Sequence, residues 1–385
     1  MKGNIMDRKL LVLIIFTISF LNLYSQNQNY NEVVDYLKEN GRSPDEYLIG
    51  KFKQYDVILL AEDHAIRDNL LFVKEMIPKL YQNGVFTIGM EFGAREQQHQ
   101  LDSLLSADEY DFQMARDIMF AYNVGWAYQE YMDLYHAAWK LNRSLPGEAQ
   151  KFRILNLSYQ YDWSHFQGVR TPENMNQVFH KGTPDMYRAK VVEKEIIQKE
   201  EKILILTGTY HAFSKYQMPV YSEYSDYFCD FNNRMLGNRL YKKYQGKVTS
   251  IALHQPFPGK PNDKEGRQSP ANGAVENIMG ELDHQPMGFD LDSVVGDLPD
   301  NSYYSMGYPS FKVGQLFDGY IFLKPFSQLQ GCEVDSQFFL GRDWEQIHSQ
   351  IPDPDWRGDL KSLSEFRRQI ESYVDLSKRY VELIK

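Results

Sequence analysis

Apolar residues along the chain fall into two rhythms. The first is a set of short continuous runs: Val57 to Ala61, Val85 to Met90, Phe152 to Leu157, Ile203 to Leu206, Val248 to Leu253 and Tyr320 to Leu323. Continuous rather than alternating apolar runs of this length predict strands covered on both faces, as in a parallel sheet. The second rhythm is helical spacing between the runs. It covers Tyr30 to Asn40 and Arg67 to Tyr81, where Leu70, Val73, Ile77 and Leu80 share a stripe that stops at Asn83-Gly84. Pro78 is expected to kink or shorten that helix. Thr183-Pro184 starts a further helix, with Thr as N-cap and Met186, Ala189, Val192 and Ile196 as its stripe.

This alternation predicts an α/β fold: a mainly parallel central sheet flanked by helices, built from β-α-β units with right-handed crossovers. One interval breaks the rhythm. From Ala94 to Glu148 no strand pattern occurs, but helical spacing does, with Trp126, Tyr128, Tyr131, Tyr135 and Trp139 among its rings. The expectation is a helical insertion at about 94–148 forming a lid over the sheet. Residues 26–335 then make up the α/β domain, and 336–385 a C-terminal helical segment read as packing rather than chemistry.

The first residues differ in kind. Lys2, Arg8 and Lys9 precede the apolar run Leu10 to Phe20, the layout of a secretory signal peptide over residues 1–25 with cleavage near Ser25. The mature protein is therefore expected in the periplasm or outside the cell, with no transmembrane span after cleavage. Cys229 and Cys332 could bridge there, or stay as free thiols. A net charge of −10 with scattered Lys and Arg argues against a nucleic-acid surface. Oligomeric state is left open.

The candidate chemistry lies where the runs end. The first runs into Glu62, Asp63 and His64, the second into Glu91, and the fourth, after a Gly turn, into Tyr210 and His211. In open α/β sheets the carboxyl ends of the strands are where ligands bind. Glu62 and His64, two residues apart, face the same side if the chain stays extended. Glu62, His64, Glu91 and His211 can act together in two ways. They can hold a divalent metal such as zinc, manganese or cobalt. Alternatively, one His serves as general base on water while a carboxylate orients it. Each residue alone also has a structural role open to it, as a helix cap or a hydrogen-bonded core histidine. Arg67 and Arg95 follow the strand ends closely enough to bind an anionic group, while His99, His136, His165 and His254 are isolated. Phosphate-loop, Cys-rich metal and GxSxG patterns do not occur.

The segments AEDHAIRDN, GMEFGAREQQHQLDSLL, VGWAYQEYMDLYHAAWKLN and LTGTYHAF resemble the ChaN branch of the superfamily that also holds erythromycin esterases and the Tiki/TraB proteins. The resemblance spans about Val57 to Phe213 and continues to about Pro325. The Gly that precedes the Glu in the family motif is Ala61 here. Membership implies an α/β sheet with helices on both faces, and it places Glu62, His64, Glu91 and His211 at the superfamily's acid and histidine positions. It also implies three chemistries: haem binding in iron uptake, metal-dependent peptide hydrolysis and His-assisted lactone hydrolysis. Two functions follow as expectations. One is a secreted hydrolase of the esterase or metallopeptidase class, acting on a small molecule or peptide. The other is a haem-binding protein with Tyr210 as a possible axial ligand.

Overall fold

The computed structural model describes residues 30–384 apart from 167, 223–224, 262–265, 353–356 and 359. The signal-peptide pattern over residues 1–25 lies outside the described residues. Seven strands form one sheet: β1 (Val57–Glu62), β2 (Thr87–Ala94), β3 (Arg153–Ser158), β4 (Ile203–Gly208), β5 (Val248–Leu253), β6 (Met287–Asp290) and β7 (Gly319–Phe322). Their order across the sheet is β6-β7-β5-β1-β4-β2-β3. All neighbours are parallel except β6 and β7. The fold is thus α/β with a mostly parallel sheet, as the apolar runs predict.

Two cores explain why the runs are continuous. Ile58 and Leu60 of β1 face a cluster with Leu70, Val73, Ile77 and the rings of the 94–148 interval. Val57, Leu59 and Ala61 face a second cluster with Val33, Leu37, Val192, Leu236 and Ile278. Successive residues of one strand serve opposite cores, so both sets must be apolar. The interval between β2 and β3 forms helices Gln98–Ser106, Phe112–Tyr122 and Gln129–Ser144. These pack on the first core and reach the polar strand ends through Trp126 and Tyr131.

Several expectations are corrected. The helix Arg67–Gln82 runs through Pro78 and is not shortened by it. The edge strand β6 and the small hairpins Met218–Ser222/Ser225–Asn232 and Phe257–Pro258/Arg267–Gln268 were not expected. They are too short or too polar to give an apolar run. Cys229 is exposed and Cys332 buried, and both are free thiols. Among the described residues no helix is long and apolar enough to cross a membrane.

Candidate active site

Parallel pairing brings the ends of β1, β2 and β4 to one edge of the sheet. Glu62 is the last residue of β1, in register with Gly208, the last of β4. Glu91 lies in β2 within the register shift between Met90 and Ala94. Such an irregularity bends the strand and re-aims a side chain, and here the Glu91 carboxylate reaches across to β4. The cleft beside these ends has a volume of about 320 Å³, with Glu62, His64, Tyr210, His211, Gln255 and Arg267 in its wall.

One half of the site is a carboxylate–imidazole pair. His64 Nδ1 stands 3.2 Å from Glu62 Oε1. The chain is not extended there; it turns at Ala65, which has φ of 60°, and the turn folds the imidazole back over the carboxylate. Tyr131 OH donates to the same Glu62 oxygen at 2.5 Å and accepts from Ala65 N–H at 3.1 Å, tying the turn to the carboxylate. Phe92 and Trp126 meet the His64 ring edge-on at 5.1 and 5.3 Å and restrict its rotation. Burial pushes the Glu62 carboxyl above its ordinary range, against the opposing pull of His64 and Tyr131. Its Oε2 is buried without a hydrogen-bond partner among the described residues.

The other half is a compensated cluster of four charges. Glu91 Oε2 accepts from Thr207 Oγ1 at 2.6 Å and from Gly208 N–H at 2.8 Å. Glu91 Oε1 lies 3.1 Å from Arg188 Nη2 and 3.2 Å from His211 Nε2. Asp185 Oδ1 lies 3.1 Å from Arg188 Nη1 and 2.7 Å from His211 Nδ1. Arg188 Nε also donates to Ser158 Oγ at 2.9 Å. Burial alone would raise Glu91, but Arg188 and His211 hold it well below the usual carboxylate range. Burial alone would lower His211, yet Asp185 and then Glu91 raise it to about 9. At neutral pH the cluster therefore holds two carboxylates, a guanidinium and an imidazolium.

Asp185 and Arg188 were not read from the sequence as functional. The helix Pro184–Glu195 buries Val192 of the expected stripe, with Ile196 buried just past its end and Ala189 packed against the same core, but it also turns Asp185, Arg188 and Val191 inward and leaves Met186 only partly buried. An acid and an Arg three apart, with Val192 a turn further along the same face, was the available signal. Tyr131 gave no signal apart from its neighbouring rings. The C-terminal segment reaches the edge of the site. Arg379 pairs with Asp63 and donates through Nη1 to the His64 carbonyl at 2.7 Å, while Tyr380 OH and Arg267 Nη1 bind the other Asp63 oxygen. Arg67 is taken by Glu130 and Glu333, and Arg95 by Glu195 and Gln98, so neither is the anion-binding group considered above. His254 is a core histidine between Tyr320 and Glu276.

The donor set does not fit a divalent metal held by Glu62, His64, Glu91 and His211. Both Glu91 oxygens are occupied, one by a buried guanidinium that would repel a second cation. Among the described residues no group of three His, Cys, Asp or Glu is arranged to hold a metal ion. Tyr210 lies in the cleft wall and is 43% exposed, so a haem iron could approach it. Burial and then Asp63 raise its phenol, which disfavours the phenolate an axial ligand requires.

Comparison with known proteins agrees with the motif likeness. Residues 48–147 match the family described as haem-binding uptake, Tiki superfamily, ChaN. The ChaN match contains Glu62, His64, Glu91 and Tyr131 but ends before Asp185, Arg188 and His211. No curated protein matches the sequence. Similar solved structures include a Bacillus cereus protein, 12% identical, covering 80% of this chain and 99% of that one with a TM-score of 0.49. A mutant erythromycin esterase in its open conformation is also 12% identical and covers 69% and 90%, with a TM-score of 0.45. ChaN of Campylobacter jejuni, with cofacially bound heme, is 14% identical and covers 58% and 89%, with a TM-score of 0.35. At these identities the likeness assigns no residue a role.

The His64 ring fits closely against the backbone of β4. A Cβ added to Gly208 would stand 2.6 Å from His64 Cε1 and 2.8 Å from Nε2. Gly208 has φ of −60°, which alanine adopts freely, so the effect of a substitution is purely steric. Gly208→Ala is expected to push the imidazole out of its place at a stability cost of about 1–3 kcal/mol. Urea denaturation and the NMR resonances of the His64 ring check this; ring shifts identical to those of the wild type would mean that the added methyl does not displace the imidazole.

His211 gives a pH dependence with a definite sign. Its folded value of about 9 lies above the ordinary 6.5, so the stabilisation is complete below pH 6.5 and is lost as pH rises through 9. The loss should be of order 1–3 kcal/mol, since each pH unit of displacement is worth about 1.4 kcal/mol. Urea midpoints at pH 6.5 and 9.5 should differ for the wild type and hardly differ for His211→Gln. Equal slopes for the two proteins would remove the ion cluster as the cause.

Proposed function

We propose that the chain is a secreted hydrolase of carboxylic esters or peptides in which His64 is the general base and no metal takes part. The observation that carries this reading is the Glu62–His64 contact. With Glu62 as acceptor at Nδ1, the imidazole keeps its proton there and its Nε2 lone pair lies at Gly208, on the cleft side. Water attacking a carbonyl carbon gives one proton to Nε2 of His64. The His64 proton then passes to the leaving group as the carbon–heteroatom bond breaks, which restores the neutral base. Glu62 stabilises the transient His64 cation, and Tyr131 fixes the carboxylate. The leader pattern from Lys2 to Phe20 supports secretion.

The ChaN family description favours a second reading, haem binding without catalysis. One experiment separates the two. Protein purified from an iron-replete host is assayed on a panel of esters and peptides, and its absorbance is recorded during haem titration. Turnover on an ester or peptide without a stoichiometric Soret band supports the hydrolase. A stoichiometric Soret band, sensitive to Tyr210→Phe and with no turnover, supports the binding protein.

A further inference from the structure

A second cavity, about 400 Å³, adjoins the catalytic cleft. The two share Arg267 and Tyr373 as wall residues, so these two side chains border both. The second is lined by Tyr128 from the insertion and by Gln369, Lys378 and Arg379 from the C-terminal segment. Its wall contains three cationic side chains, aromatic rings and no acid.

Three polar atoms of this wall have no hydrogen-bond partner among the described residues: Tyr128 OH, Arg379 Nε and Gln369 Oε1. Tyr128 is fully buried, and the Arg379 side chain is 7% exposed. Buried polar groups without partners cost stability, and several around one cavity imply a molecule that completes them. Asp375 pairs with Lys378 at 2.8 Å and Asp63 neutralises only one of the Arg267 and Arg379 charges, so the wall keeps one uncompensated positive charge. Tyr128 and Tyr373 stack at 6.4 Å, and the Arg379 guanidinium lies 4.3 Å from the Tyr373 ring centre. The rings suit an apolar body and the cations suit an oxygen anion at its end.

The geometry points to this cavity as a binding subsite for an organic anion with an apolar body, the remote part of the molecule whose scissile bond lies in the cleft. Only the phrase about the scissile bond rests on the hydrolytic reading; the anion site stands on its own residues. Such a subsite supplies binding energy away from the reacting atoms. It also gives the C-terminal segment a role in specificity.

The test uses 2-naphthoate and the neutral 2-naphthamide as calorimetric probes of the full chain. Wild type should bind the carboxylate at least tenfold more tightly. Tyr128→Phe removes one hydroxyl, and Ser372→Trp places a bulky ring in the wall from an exposed position. Each variant should weaken naphthoate at least fivefold, while His64→Ala should bind it as the wild type does. Equal binding of the two probes, no binding, or indifference to both variants would overturn the site. On a pair of aryl esters with and without a carboxylate, the same variants should raise KM for the charged ester alone. Absence of any hydrolysis with naphthoate binding intact would refute the hydrolase and leave the anion site standing.

Discussion

Replacing His64 by alanine should lower turnover on any ester or peptide substrate by at least about a hundredfold, the usual scale for loss of a general base. The side chain is 27% exposed and its polar contact is with Glu62, so folding should survive and the melting temperature should stay near that of the wild type. Glu62→Gln is the companion variant. It keeps the shape but removes the charge that stabilises the His64 cation, so it should lower kcat more than it raises KM. A His64→Ala protein that is folded and retains wild-type kcat/KM would show that the imidazole is a bystander.

Replacing Arg188 by methionine should be the most damaging single change to stability, of order 3–5 kcal/mol. The guanidinium is 3% exposed and contacts Glu91, Asp185 and Ser158. Its removal leaves two buried carboxylates with only His211 to compensate them. Adding Glu91→Gln to Arg188→Met should recover part of the loss, because the second change removes one uncompensated charge. Urea denaturation of the wild type, both single variants and the double variant measures this coupling. Strictly additive effects would mean that the two groups do not act as a pair.

How much could be read in the sequence followed from how local each signal was. A strand buried on both faces is a local property, so Val57 to Ala61, Ile203 to Leu206 and Val248 to Leu253 could be placed within a residue or two. Glu62, His64, Glu91 and His211 could be found because each lies at or within about five residues of the end of such a run, and parallel pairing then brings the ends together. Arg188 and Asp185 were hidden by a helix whose inward face depends on tertiary packing. With Val191 and Val192 both buried, the apolar stripe alone did not fix the rotation of that helix. Arg379 is more than three hundred positions from His64 in sequence, and its bond to the His64 carbonyl leaves no local trace. The metal alternative could not be weighed from the sequence for a related reason. Spacing brings carboxylates and imidazoles together, but only the structure shows that an arginine already occupies Glu91.

The most direct measurement of the central claim is turnover on one ester substrate before and after exhaustive dialysis against a chelator, with metal content determined on the same samples. A base built from His64 and Glu62 predicts unchanged kcat at less than a tenth of an equivalent of metal. Loss of activity on dialysis, restored by one equivalent of zinc, manganese or cobalt, would contradict it.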